Sequence, residues 1–195
     1  MNQAFKHILL VAGLLGLALL QGCATKIKAS STQNPPPAEA FASYGRIELK
    51  SAVFRDGYRG DQSGLAKIDA NIKLDLAASL ESWNNKPANG RTLVIEPVVE
   101  ELAFKHGAKR VLLGPLAGSS GVLMRVTFRD QRGNVVATPE FFQRADAMAA
   151  GFLFGVHDNL MLTRISNLAS GYVIANYEQS VGGPTGADDK AVKLK

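Results

Sequence analysis

Between residues 65 and 83 the apolar side chains Leu65, Ile68, Ile72, Leu76, Leu80 and Trp83 recur three or four positions apart. That spacing draws one stripe along an amphipathic helix. A helix apolar on one side must bury that side against another layer, so the remaining chain has to supply one. Asp61 or Ser63 stands where a helix cap belongs, and the Asn-, Pro- and Gly-containing stretch 84–90 ends the element.

Strand patterns lie on both sides of it. Residues 44–54 have β-branched and alternating character, and residues 91–105 form a second strand. Pro97 within that run predicts an edge position or a bulge, because proline cannot donate to a ladder. Val122, Met124, Val126 and Phe128 alternate with Leu123, Arg125 and Thr127, the pattern of a half-buried strand. The stretch 129–134 contains Gly133 for a tight turn, and residues 135–142 return as its hairpin partner. Met161, Ile165, Leu168 and Tyr172 then share one face of a second helix over about 158–177. The expected fold is α/β (or α+β): a small mixed sheet with two packing helices, in the order β-α-β-β-β-α. No unit of solenoid length repeats.

The N-terminus has a different grammar. Lys6 precedes an apolar run from Ile8 to Leu20, the layout of a secretory signal. A membrane span needs about 20 apolar residues, and this run stops short of that at Gln21. Leu20-Gln21-Gly22-Cys23 resembles the lipobox of bacterial lipoproteins, with Leu at −3 and a small residue at −1 before the cysteine. The resemblance implies that residues 1–22 are removed and that Cys23 carries the lipid. With Ala24 rather than Asp at +2, it also implies anchoring in the outer membrane, facing the periplasm. Two or more acyl chains make a stable anchor. Cys23 is the single cysteine of the chain, so no internal disulfide is possible, and it precedes a polar, unpatterned stretch unlike a reactive-thiol pocket.

Residues 23–43 are rich in Ser, Thr, Asn, Pro and Ala, including Pro35-Pro36-Pro37. They are expected to be a lipidated, disordered tether, about 65 Å long if fully extended. Residues 44–178 form the single domain, and the Gly-rich, charged stretch 179–195 reads as a disordered tail. The chain is 46% hydrophobic and 20% charged with a formal charge of +5, which suits one globular domain and allows attraction to anionic headgroups or an acidic partner. Nucleic acid is not an expected partner, because the compartment is wrong and no basic run exceeds two residues.

Signals for chemistry are thin. Once His7 leaves with the signal, His106 and His157 remain, and neither has metal-ligand spacing. Asp158 reads as an N-cap for the last helix. Residues 114–121, "GPLAGSSG", lack the Lys-Ser/Thr ending of a phosphate loop, and Ser119 and Ser120 lack a nucleophile-elbow context. Glu96, Glu100 and Glu101 would serve glycoside cleavage only in a cleft that raises one carboxyl's pKa; interleaved with apolar residues, they read as a solvated face. Residues 147–156 are apolar, with Gly151 and Gly155 four apart. At about 15 Å as a helix they cannot span a bilayer. They serve core packing or, through Phe152 and Phe154, contact with a partner.

The run from Phe104 to Val136 resembles a family of bacterial lipoproteins with a domain of unknown function. The resemblance rests on Lys109-Arg110, Gly114, Gly118, Gly121, Asp130, Gly133 and Val135, and on the later "YVIANY". These are turn and packing residues, so they imply no catalytic, cofactor or metal site. The expected function is therefore non-enzymatic: an outer-membrane lipoprotein that binds an envelope protein in envelope assembly or maintenance, with an oligomer open to it. The alternatives are a cell-wall or lipopolysaccharide hydrolase using Glu96, Glu100 or His106, and a small-ligand-binding lipoprotein.

Overall fold

The computed structural model describes residues 27–104, 120–145 and 156–193. Its centre is a mixed sheet with four strand positions. β2 (Arg46–Leu49) and β3 (Val53–Phe54) follow one another along the first position, both parallel to β4 (Thr92–Ala103). β5 (Ser120–Asp130) is antiparallel to β4, and β6 (Val135–Ala137) and β7 (Glu140–Ala145) share its far side. Helices α1 (Gln62–Asn84) and α2 (Val156–Ala175) pack on one face and on each other. A separate pair, β1 (Gln33–Asn34) and β8 (Gly183–Pro184), is antiparallel. The expected fold class holds, with its first strand and its last each broken in two.

α1 forms where its stripe demands. Gly64, Ile68, Ile72 and Leu76 are buried, with Leu65, Leu80 and Trp83 packed at the margin of the core. Asp61 is the cap: its carboxylate accepts from the Gly64 N–H at 2.6 Å and from the Ser63 hydroxyl at 2.6 Å. Gly64 is required by proximity, since a Cβ there would meet Leu102 at 2.8 Å. α2 already includes Val156, so Asp158 lies inside the helix and is not the cap expected of it.

Pro97 corrects an expectation. It lies in a strand paired on both sides, yet β4 tolerates it. Backbone groups of alternate strand residues face the same edge. Lys50 donates to the Ile95 carbonyl at 2.9 Å and Arg55 to the Val99 carbonyl at 3.1 Å, so the Pro97 nitrogen faces the interval between β2 and β3. The neighbouring strand is interrupted where the proline has no hydrogen to give. A bulge is present as well, four residues on: the β4–β5 register shifts between Val99 and Glu101. It switches the inward row from Leu93, Ile95 and Val99 to Leu102.

The tether and tail expectations are also overturned for residues 27–43 and 179–193. Phe41, in a single 3-10 turn (Phe41–Ser43), is fully buried and stacks on Phe128 with ring centroids 4.7 Å apart. The prolines lie over the domain. The Tyr172 hydroxyl donates to the Pro35 carbonyl at 2.9 Å, and the Ser180 hydroxyl to the Pro37 carbonyl. In the tail, Thr185 is buried and its carbonyl accepts from the Phe142 N–H at 2.8 Å. Composition argued that neither segment can fold alone. That stands, but each is ordered on a surface the domain provides. Among the described residues, no helix is long and apolar enough to cross a membrane.

Candidate interaction surface

Alternation along β4, β5 and β7 sends one set of side chains toward the helices and the other to the outer face of the sheet. The outer face has two unlike halves. Toward Ala103, the end of β4, Leu123 of β5 and Phe142 of β7 are covered by Ile27, Ala29 and Ala191, with Ala103 and Ala187 packed alongside. This small second core joins both chain ends. Ala29 donates to the Ala191 carbonyl at 3.0 Å and accepts from the Lys193 N–H at 2.8 Å.

The other half is open and charged. Arg129 meets Glu96 at 3.0 Å, and Arg125 bridges Glu100 at 3.1 Å and Glu140 at 3.7 Å. Half-buried Val94, Val98 and Thr127 lie among these pairs. Arg125 and Arg129 share the face because they are four residues apart on a strand, an even number. The Glu140 side chain is only 11% exposed, and it also accepts from the Ser30 N–H at 2.5 Å. The charged half is thus tied to the N-terminal segment. Glu96 and Glu100 each face a guanidinium across a flat sheet, not one another across a cleft. Arginine on a flat, partly desolvated surface is a frequent element of protein contacts.

Both edges of the sheet carry the same device. On β7, the Asn34 carboxamide donates to the Glu140 carbonyl and accepts from its N–H, both at 2.8 Å. On β2, the Asn84 carboxamide accepts from the Ile47 N–H at 2.7 Å and donates to its carbonyl at 2.9 Å. Each amide stands in for the next strand and occupies groups that would otherwise template edge pairing.

At the end of the sheet where β4 starts, Glu39 clamps the N-terminal segment. Its carboxylate receives both terminal nitrogens of Arg91, at 2.9 and 2.5 Å, and the Tyr44 hydroxyl at 2.8 Å. The hydrogen bonds from Arg91 hold the Glu39 carboxyl below the usual range despite its partial desolvation. Burial, reinforced by Glu39, pushes the Tyr44 hydroxyl well up, and burial alone raises Tyr172 to about 12. The clamp is structural in its contacts: every member points at another member.

A pocket of about 140 Å³ adjoins the apolar half, lined by Phe142, Gln143, Arg144, Gly186, Asp188 and Ala191. Among the described residues, no group of three or more His, Cys, Asp or Glu could hold a metal ion.

Of the residues singled out by sequence, Glu96 and Glu100 lie on the open half, and Glu101 sits at the register shift. Ser120 is buried at the start of β5. Cys23, His106, residues 114–119, Phe152 and Phe154 lie outside the described residues, while His157 falls within α2. The sequence reading passed over Arg125 and Arg129, although their spacing within an alternating strand marks a shared face. It had no signal for Ile27, Ala29 and Ala191, which sit in unpatterned segments.

No protein-family model and no curated protein matches the chain. Among solved structures it is similar to the PelC dodecamer from Paraburkholderia phytofirmans in two crystal forms, one of a single-substitution variant. Identity is 16% for both, with TM-scores of 0.42 and 0.41. The matches cover 68% of this chain and 90% and 91% of the PelC chains. The oligomeric assembly that the sequence leaves open is a property of those two proteins, and at this level of likeness it is stated of them alone.

Proposed function

We propose that this chain is an outer-membrane lipoprotein, held by acyl chains on Cys23 and facing the periplasm. Its single domain would bind a protein partner in envelope assembly or maintenance and would not act as an enzyme. The observation that carries the anchor is Leu20-Gln21-Gly22-Cys23 directly after the apolar run from Ile8 to Leu20. Partner binding is supported by the open half of the outer face, where Arg125, Arg129, Glu96 and Glu100 pair across neighbouring strands. The resemblance to lipoproteins with a domain of unknown function belongs to the same reading. So does an oligomer, in which the partner is a second copy of this chain.

Cys23→Ser tests the anchor: the protein leaves the membrane fraction, and an unchanged fraction defeats lipidation. Photoreactive residues at Thr127 and Phe152 in intact cells test the partner, and a discrete crosslinked product is expected from at least one of them. Cleavage of purified peptidoglycan that is lost in Glu96→Gln or Glu100→Gln would instead establish a hydrolase.

A further inference from the structure

The anchor and the fold are joined by very little chain. Residues 24–26 alone separate Cys23 from Ile27, which is 4% exposed and packed with Leu123, Phe142 and Ala191. Two residues on, Ala29 is held from both sides by the C-terminal segment. Four Cα-to-Cα steps reach about 14 Å at most, against the roughly 65 Å expected of a free tether.

The strand registers show which end of the domain this leash enters. Ala103 pairs with Gly121 and Ser120 with Ala145, so β4 and β7 end, and β5 begins, at one pole. Leu123 and Ala103 place Ile27 at that pole. At the opposite pole are the pairing of Arg46 with Thr92, the turn after Asp130 and the C-terminal end of α1. The twelve residues of β4 span about 36 Å, more than twice the leash.

We infer that the pole where Ile27 enters lies against the lipid surface that holds the acyl chains, while the hairpin pole projects into the periplasm. The inference rests on the proposed acylation of Cys23. The occupant is a phospholipid surface, and the basic side chains beside the entering segment suit an anionic one. Among the described residues, Lys28, Arg144, Lys190 and Lys193 lie beside the entering segment with Asp188 and Asp189, and the stretch before α1 brings Arg55, Asp56, Arg59 and Asp61 to the same pole. The Lys28 ammonium donates to the Lys190 carbonyl, which keeps those two lysines together. Arg144 lines the adjoining pocket, and its buried Nε has no hydrogen-bond partner among the described residues. At the far pole Arg91 is matched to Glu39 and Arg46 to Glu48. Held this way, the sheet stands along the membrane normal and its charged outer half remains accessible to a partner.

The test uses mature protein purified from membranes and returned to phosphatidylethanolamine–phosphatidylglycerol vesicles. Acylation blocks the native thiol, so one introduced cysteine carries a fluorophore at Asp189→Cys, Val135→Cys or Asn85→Cys. Lipids with a headgroup spin label should quench the first several-fold more than the other two. Equal quenching at all three sites, or stronger quenching at the far pole, overturns the orientation. A mass spectrum of the N-terminal peptide separates the two failures. An unacylated Cys23 defeats the anchor and this inference with it. An acylated Cys23 with equal quenching defeats the orientation only.

Discussion

The two faces of one sheet are stabilised in different ways. The inner face is a continuous core of large side chains. Phe128, Met124, Leu93, Ile95 and Phe141 meet Ile68 and Leu76 of α1 and Met161 and Ile165 of α2. Tyr172 completes it, with ring centroids 5.9 Å from both Phe128 and Phe141. Among the described residues, no helix packs on the outer face. Half is closed by the N- and C-terminal segments through Ile27, Ala29 and Ala191, packed on Leu123 and Phe142, and half is left to ion pairs. Strand alternation creates both faces, but the described helices pack on only one, so the other depends on the N- and C-terminal segments, which have little secondary structure of their own. The two faces should therefore fail separately.

The largest effect belongs to the inner face. Phe128→Ala removes the ring stacked on Phe41 and should cost about 3–5 kcal/mol of unfolding free energy in a denaturant titration. Leu123→Ala opens the outer cluster and should cost about 2 kcal/mol. Amide exchange should quicken first in residues 27–34 and 183–193, ahead of the helices. If exchange rises evenly across the molecule instead, the two faces are one cooperative core. Asn34→Ala strands the buried N–H and carbonyl of Glu140 and should cost about 1–2 kcal/mol. Asn84→Ala should cost less, because Asn84 is exposed and water can take over at Ile47.

Acid probes the Glu39 clamp. Glu39 is lowered by its hydrogen bonds from Arg91, and Asp130 by those from Asn134. A carboxyl whose pKa is lower folded than unfolded contributes stability above its unfolded pKa, and that contribution is lost as pH falls through the folded one. Thermal midpoints should therefore hold at neutral pH and drop below the ordinary carboxylate range. Arg91→Met should flatten that drop. The smallest effect is expected on the open half. Glu96→Gln should change stability by under about 1 kcal/mol, since both partners of the Glu96–Arg129 pair are about two-fifths exposed. A larger loss would mean that the open face is part of the fold and not a free surface.

Periodic elements were legible before any coordinates. The stripe from Leu65 to Trp83, the alternation through Val122 and Phe128, and the turn at Gly133 all form as read. Gly133 has a φ of 83°, a conformation that only glycine adopts readily. Each of these signals is local. Pro97 was legible as a difficulty but not in its solution, which lies in a break between β2 and β3 more than forty residues earlier. The candidate surface was half legible: Glu96 and Glu100 stood out as charges, but their partners Arg125 and Arg129 come from the neighbouring strand. Phe41 and Ile27 could not be placed, because one apolar residue in a Pro- and Ser-rich stretch has no period.

From sequence alone came two helices, a mixed sheet for them to pack on and the lipobox-like Cys23, because periodicity and short motifs are properties of consecutive residues. Tertiary structure decided where residues 27–43 and 179–193 lie, which half of the outer face is covered and how both edges are closed. Those outcomes depend on pairings such as Asn34 with Glu140 or Ile27 with Leu123, made between residues about a hundred positions apart. Their free energy comes from surface that exists only once the sheet has formed.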